Sequence, residues 1–283
     1  MTSTDTGTAG RPGTGPLRRR APGRQAPIAL LLPAAVGLLY LILPLAGLLI
    51  RAPWSTLPQR LTAPGVLTAL RLSLQCATLA TLLCLALGVP IAWLLARVEF
   101  PGRRLVRALV TVPLVLPPVV GGVALLLVFG RRGLLGSWLD ETFGFTLPFT
   151  TTGVVLAEAF VAMPFLIIAV EGALRGADRR YEEAAATLGA GRWVTFTHVT
   201  LPLVAPGIAA GGVLCWARAL GEFGATITFA GNYPGITQTM PLAVYQTLEG
   251  GDLDAAIVLS LVLLIVSVTI LAGLRDRWIS GSS

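Results

Sequence analysis

Arg218 and Glu222 stand four positions apart inside a run that is otherwise apolar or small, Ala217-Arg218-Ala219-Leu220-Gly221-Glu222-Phe223-Gly224-Ala225-Thr226. An ionised side chain at the centre of a bilayer costs about 2.5–3.5 kcal/mol on insertion scales, so such groups pair with one another or face water. The i,i+4 spacing allows pairing on one helix. Two roles follow: a mutually neutralised pair that holds the helix in place, or a positive field from Arg218 along an anion path, moderated by Glu222. Glu158 is a further carboxyl candidate within an apolar stretch, and Glu171 lies at the edge of the same stretch. The other reactive side chains exclude more than they offer. All 21 basic residues are arginine, so neither a P-loop lysine nor a Schiff-base amine is present. His198 is the single histidine, which leaves no H-E-x-x-H pair and no His-rich metal site; it reads as a loop anchor or, less simply, a titrating switch. Cys76, Cys84 and Cys215 lie in apolar stretches. The first two are roughly 12 Å apart on one helix, too far to bridge, so all three read as reduced filler.

With 54% hydrophobic and 12% charged residues in a chain of 283, the elements that position these groups are membrane spans. Residues 1–26 are rich in Thr, Gly, Pro and Arg and read as a disordered basic tail, since they cannot bury enough surface to offset ordering. The apolar stretch 27–50 exceeds the length of a signal-peptide core and reads as a retained first span. Five more segments are long enough to cross: about 67–96, 105–130, 151–171, 202–230 and 255–274. Six spans place both termini on one side. Sorting arginines into alternate loops tests this. Fifteen fall in the 1–26 tail, the 97–107 and 175–192 loops and the C-terminal tail; five fall on the other side, and none in 231–254. The richer side, with both termini, is expected to be cytoplasmic. This placement at span ends suits membrane lipid and excludes a nucleic-acid footprint. Pro90, Pro113, Pro117, Pro118, Pro164 and Pro206 inside the spans predict kinked helices. Gly207-x-x-x-Gly211, with Gly212 beside it, offers a face for close helix approach, within one subunit or across a dimer seam.

The inner loop at about 175–202 contains Asp178-Arg179-Arg180-Tyr181-Glu182-Glu183-Ala184-Ala185-Ala186-Thr187-Leu188-Gly189. Asp178 is the expected N-cap, Glu182 and Glu183 suit the positive end of the dipole, and Gly189 or Gly191 can take the left-handed stop. Tyr181, Ala184, Ala185 and Leu188 share a face by 3–4 spacing, and Trp193 and Phe196 follow before Leu201-Pro202 opens the next span. An apolar stripe with small residues at its centre suits a groove on a soluble partner; the alternative is a helix lying on lipid. The pattern Glu183-Ala184-Ala185-x-x-x-Gly189, followed by Val199-x-Leu201-Pro202, resembles the EAA loop of ABC importer permeases. That resemblance implies an all-α, six-helix type I permease fold, with a permease core of five transmembrane helices over about residues 60–275. It also implies that Glu183, Ala184, Ala185, Gly189, Leu201 and Pro202 form a coupling loop docked on a separate ATPase. Arg192, Trp193 and His198 receive no role from it.

The segment Ala217 to Thr226, with Pro234-Gly235 and Thr239-Met240-Pro241-Leu242-Ala243-Val244-Tyr245 beyond, is similar to the molybdate members of that family. Sulfate members carry Tyr at the position of Phe223 and Ser-Val at Ala225-Thr226. The resemblance implies a homodimer working with two ATPase subunits and an extracytoplasmic molybdate-binding protein in the inner membrane of a bacterium. ATP would be used by the partner, with no cofactor, metal or catalytic residue on this chain. Arg218 and Glu222 are the expected pathway residues. Sulfate or tungstate transport is the rival within the family. An ion-coupled secondary transporter would need a relay of several intramembrane acids or histidines, and the spans offer only Glu158, Glu222 and the borderline Glu171. A membrane enzyme lacks convergent polar catalytic groups.

Overall fold

The computed structural model describes Thr2 and residues 28–279; apart from Thr2, the expected disordered tail lies outside the described residues. Every regular element among the described residues is helical. In order these are α1 (Ile28–Ile50), α2 (Leu57–Leu61), α3 (Pro64–Arg97), α4 (Arg103–Val115), α5 (Pro118–Phe129), α6 (Gly136–Phe143) and α7 (Thr151–Gly176). After them come α8 (Arg180–Thr187), α9 (Arg192–Thr195), a π-helical turn (Phe196–Thr200), α10 (Leu201–Leu220), α11 (Gly224–Ala230), α12 (Met240–Glu249) and α13 (Leu253–Ile279). The chain divides into two units, residues 1–47 and 48–283. α1 carries Pro33 and Pro44 inside an unbroken apolar helix.

Five helices are long and apolar enough to span a bilayer, and a sixth span is formed if the bent pair α4 and α5 counts as one. The expected single helix over 105–130 is therefore corrected. Its two halves meet at 119°. Leu116 is extended (φ −69°, ψ 129°) and Pro117 follows with ψ 132°. Consecutive prolines remove two N–H donors and bar the residue before each from the α region, so the chain breaks here. Isolated prolines behave differently: Pro90, Pro113, Pro164 and Pro206 all lie inside continuous helices. The expected span over 202–230 also divides. It is helical from Arg192 through the π turn to Leu220, then stops at Gly221 before α11 begins.

The core is made by α3, α7 and α10. Leu95, Leu166, Ile167 and Leu174 are buried there among Ala77, Ala80, Ala92, Ala159 and Ala162. Lipid tails are as apolar as leucine, so close van der Waals packing holds such helices together, and small residues permit it. The glycine face of α10 packs against α7 within the subunit. A Cβ added at Gly207 would lie 2.3 Å from the Ala173 Cβ, and one at Gly211 would lie 3.0 Å from the Ala169 Cβ. The short helices beyond the two breaks meet just as closely. A Cβ at Gly122 of α5 would lie 2.6 Å from Thr228 Cβ of α11, and one at Gly224 would lie 2.9 Å from Pro118 Cβ. Near the other end of α3, Ser73 Oγ accepts the Met240 N–H of α12 at 2.7 Å.

Candidate coupling loop and translocation path

The loop after α7 is built around α8. The expected N-cap at Asp178 is corrected: Arg179 takes that place and makes no side-chain cap, while Asp178 Oδ1, one residue earlier, accepts the Arg180 N–H at 3.0 Å. Glu182 and Glu183 occupy the first turn, where their charge complements the dipole. The stop is Gly189, at φ +83°, with its N–H bonded to Ala186 O and the Ala190 N–H bonded to Ala185 O. Gly191 has φ −66° and starts α9. Pro202 lies in the first turn of α10, where its missing N–H costs nothing.

One side of this loop is pinned to the bundle. Glu182 Oε1 lies 2.9 Å from Arg97 Nη2, at the C-terminal end of α3, and accepts the Thr200 hydroxyl at 3.0 Å just before α10. The Arg97 side chain is only 7% exposed. Phe196 packs edge-on to Trp93 of α3 with ring centroids 6.0 Å apart. Sequence reasoning missed this anchor, because it singled out Glu183, which is exposed. The pairing of Glu182 with a residue 85 positions earlier has no local signal. The other side is open. Tyr181, Ala184, Leu188, Trp193 and Val194 are exposed, Leu188 at 88% and Trp193 at 74%. Ala185 departs from the expected stripe and is half-buried. His198 contacts Thr197 Oγ1 through Nδ1 at 2.8 Å.

At the far end of α10, Arg218 Nη1 and Glu222 Oε2 form an ion pair at 2.7 Å, with side chains 27% and 1% exposed. Glu222 Oε1 also accepts the Ala225 N–H at 2.8 Å. The carboxylate thus occupies the place at the start of α11 where an anion is favoured, and compensates the helix break that Gly221 introduces. Glu158 is buried in α7, and its Oε2 has no hydrogen-bond partner among the described residues. Glu171 is buried at the other end of α7, with Arg107 and Arg175 at 2.6 and 2.7 Å. Cys76, Cys84 and Cys215 are free and buried, and the Cys84 thiol donates to Ala159 O at 3.5 Å.

Broken helices beside a packed helical core, with an exposed apolar elbow between two spans, make up a multi-pass membrane fold. Comparison with solved structures gives the same fold. The chain matches a bacterial ABC transporter involved in the import of the acidic polysaccharide alginate with TM-score 0.74, at 20% identity, over 89% of this chain and 94% of that one. The MetNI methionine ABC transporter matches with TM-score 0.60 at 18% identity, over 76% and 95%. Residues 88–281 match the family described as the binding-protein-dependent transport system inner membrane component, and the chain belongs to that family. Among its relatives is the molybdenum transport system permease protein ModB of Mycobacterium tuberculosis, 47% identical over 87% of this chain and 92% of the relative. The ModB protein of Escherichia coli is 48% identical over 75% and 92%. The sulfate transport system permease protein CysT of E. coli is 37% identical over 82% and 85%.

Proposed function

We propose that this chain is the permease subunit of an ATP-driven molybdate importer, acting as a homodimer with two ATPase subunits and an extracytoplasmic binding protein in a bacterial inner membrane. The loop with both termini lies on the cytoplasmic side. The observation that carries the coupling role is the two-sided loop: Glu182 is tied to Arg97 and Thr200, while Leu188 and Trp193 stand exposed opposite. A handle attached to α3 and α10 passes a displacement of its outer face to the bundle; a loop free on both sides would absorb it. Glu183, Ala184 and Gly189 form the docking surface, with Ala185 half-buried between them and Leu201 and Pro202 at the root of α10. ATP-driven closure of the partner must favour one pore orientation by about 5.5 kcal/mol to move the equilibrium from 1:99 to 99:1.

The molybdate assignment is supported by identity to the ModB relatives above that to CysT. Ala225 and Thr226, where sulfate members differ, are fully buried, and a Cβ added at Gly122 of α5 would lie only 2.9 Å from Ala225 O. They affect helix packing and not ligand contact, so selection among oxyanions belongs to the binding protein. In the pathway, the partly exposed Arg218 supplies the positive field and Glu222, consumed by the pair and the cap, limits it. The decisive experiment reconstitutes the chain with its ATPase and binding protein and measures molybdate, tungstate and sulfate uptake. ATP-dependent molybdate uptake is expected; accumulation by the permease alone, without an ATPase, refutes the assignment.

A further inference from the structure

Where the C-terminal end of α3, the first turns of α4 and the last turn of α7 meet, a cavity of about 410 Å³ is lined by Ala96, Arg103, Arg104, Arg107, Arg175 and Arg179. Five of the six lining residues are arginines and none is acidic. Glu171 binds Arg107 and Arg175, while Arg103 donates to Leu95 O and Arg179 to Ala96 O at 3.4 Å. Among the described residues, Arg103, Arg104 and Arg179 form no ion pair. Local structure adds to the excess. Three of these arginines sit in the first turns of α4, which carries no acidic residue there and whose Gly102 makes no side-chain cap. Positive charge at a helix N-terminus is repelled by the dipole. The arrangement is unfavourable by itself and favourable around an anion.

The outer face of α4 shows which anion. Beside Arg104, Leu105, Leu109 and Val112 are 64%, 60% and 44% exposed, and their 3–4 spacing makes an apolar strip leading away from the charged cavity. A free oxyanion would use the arginines and leave that strip uncovered. We infer that this pocket binds the phosphodiester headgroup of an acidic phospholipid, with an acyl chain along Leu105, Leu109 and Val112. Basic pockets between spans on the cytoplasmic side recognise acidic headgroups in this way, and the inference rests on the cytoplasmic placement proposed above for this end of the bundle. The inference is independent of the transported ion.

The test measures retention of phosphatidylglycerol against phosphatidylcholine by native mass spectrometry, on the permease purified with its ATPase. Arg104→Gln, Arg179→Gln and the double variant are compared with the parent. Arg103 and Arg107 are left intact because they hold α4 to Leu95 and Glu171. Phosphatidylglycerol is expected to be retained selectively, about fivefold more weakly for each arginine removed, and Leu105→Ser/Leu109→Ser is expected to weaken it further. Equal retention of the two lipids by the parent, or undiminished phosphatidylglycerol on a double variant of unchanged melting temperature, overturns the site. If inorganic phosphate displaces the lipid completely and the leucine variant binds like the parent, the pocket holds a free oxyanion and the lipid assignment is overturned.

Discussion

Gly189 offers the sharpest test of the coupling loop, because backbone strain can be separated there from side-chain collision. It sits at φ +83°, and a Cβ built on it meets nothing within 4 Å. The penalty of a substitution in the isolated chain therefore comes from the left-handed backbone alone. For non-glycine residues this is about 1–2 kcal/mol, rising toward about 3 for a β-branched residue and smaller for Asn. At 1.4 kcal/mol per decade, the populated fraction of the docked loop falls roughly 5- to 100-fold. The Ala190 N–H bond to Ala185 O and the Gly189 N–H bond to Ala186 O are local, so the strain is relieved by rewinding the loop and the bundle stays intact. Molybdate uptake in vesicles, normalised to membrane-inserted permease, should fall in the order Gly, Asn, Ala, Val, with Val near background and insertion unchanged. Uptake by Gly189→Val equal to that of the parent refutes the coupling role. Ala and Asn variants that both fail as completely as Val would show that the absent side chain matters for the partner's surface, and the strain argument would be wrong.

Glu182→Gln should uncouple ATP hydrolysis from uptake by loosening the Arg97 contact, costing about 1–3 kcal/mol, whereas Glu183→Gln should leave the loop's fold unchanged; equal protease sensitivity of the two loops would contradict this. Arg218→Gln alone leaves the buried Glu222 carboxylate without its cation and should lower the amount of assembled permease by about 3–5 kcal/mol of stability, while Arg218→Gln/Glu222→Gln should assemble yet transport slowly. Parental uptake by that double variant removes Arg218 from the pathway. Gly207→Ala should cost about 1–3 kcal/mol by overpacking against Ala173, with thermal stability restored by Ala173→Gly, and Gly212→Ala, 4.0 Å from its nearest neighbour Leu85, should be neutral. Outside the membrane, the Ala255 N–H and then Arg60 hold the exposed Asp252 carboxyl below its usual range. That contribution is present above the ordinary carboxylate pKa and lost as pH falls through the lowered folded value, so Arg60→Gln should move the acid limb of the melting profile toward higher pH.

What the sequence made legible follows from how local each signal is. Span existence depends on summed apolarity over about 20 residues, and α3, α7 and α13 lie where the apolar runs lie. The loop's stop was readable because a glycine at a helix end has a conformational use, and Gly189 rather than Gly191 takes it. The breaks were not readable. Hydropathy is blind to the direction of a helix, so 105–130 gives one apolar run across a 119° bend; the consecutive Pro117-Pro118 was the available sign, distinct from the isolated prolines that leave helices continuous. The break at Gly221 had a weaker sign, Glu222 three residues before Ala225, the spacing of a side-chain cap. Tertiary ion pairs such as Arg97 with Glu182 have no trace in local spacing at all.

The coupling loop and the pathway candidates are joined by a single element. From Arg192 through the π turn to Leu220 the chain is helical over 29 residues, roughly 43 Å at 1.5 Å per residue. Its first part carries the exposed Trp193 and, through Thr200, the bond to Glu182; its last turn carries Arg218, whose partner Glu222 starts α11. Between them, Gly207 meets Ala173 of α7, and Gly211 meets Ala169 and the Leu166 side chain. A seam of this kind resists separation, because the backbones are close. On the proposed coupling role, a continuous helix is expected to carry a displacement of the loop toward Arg218. The break at Gly221 ends the helix before α11, which packs closely on α5 through Gly122 and Gly224. The bound carboxylate of Glu222 compensates the α11 N-terminus, which gives the pair a structural reason to sit at the break.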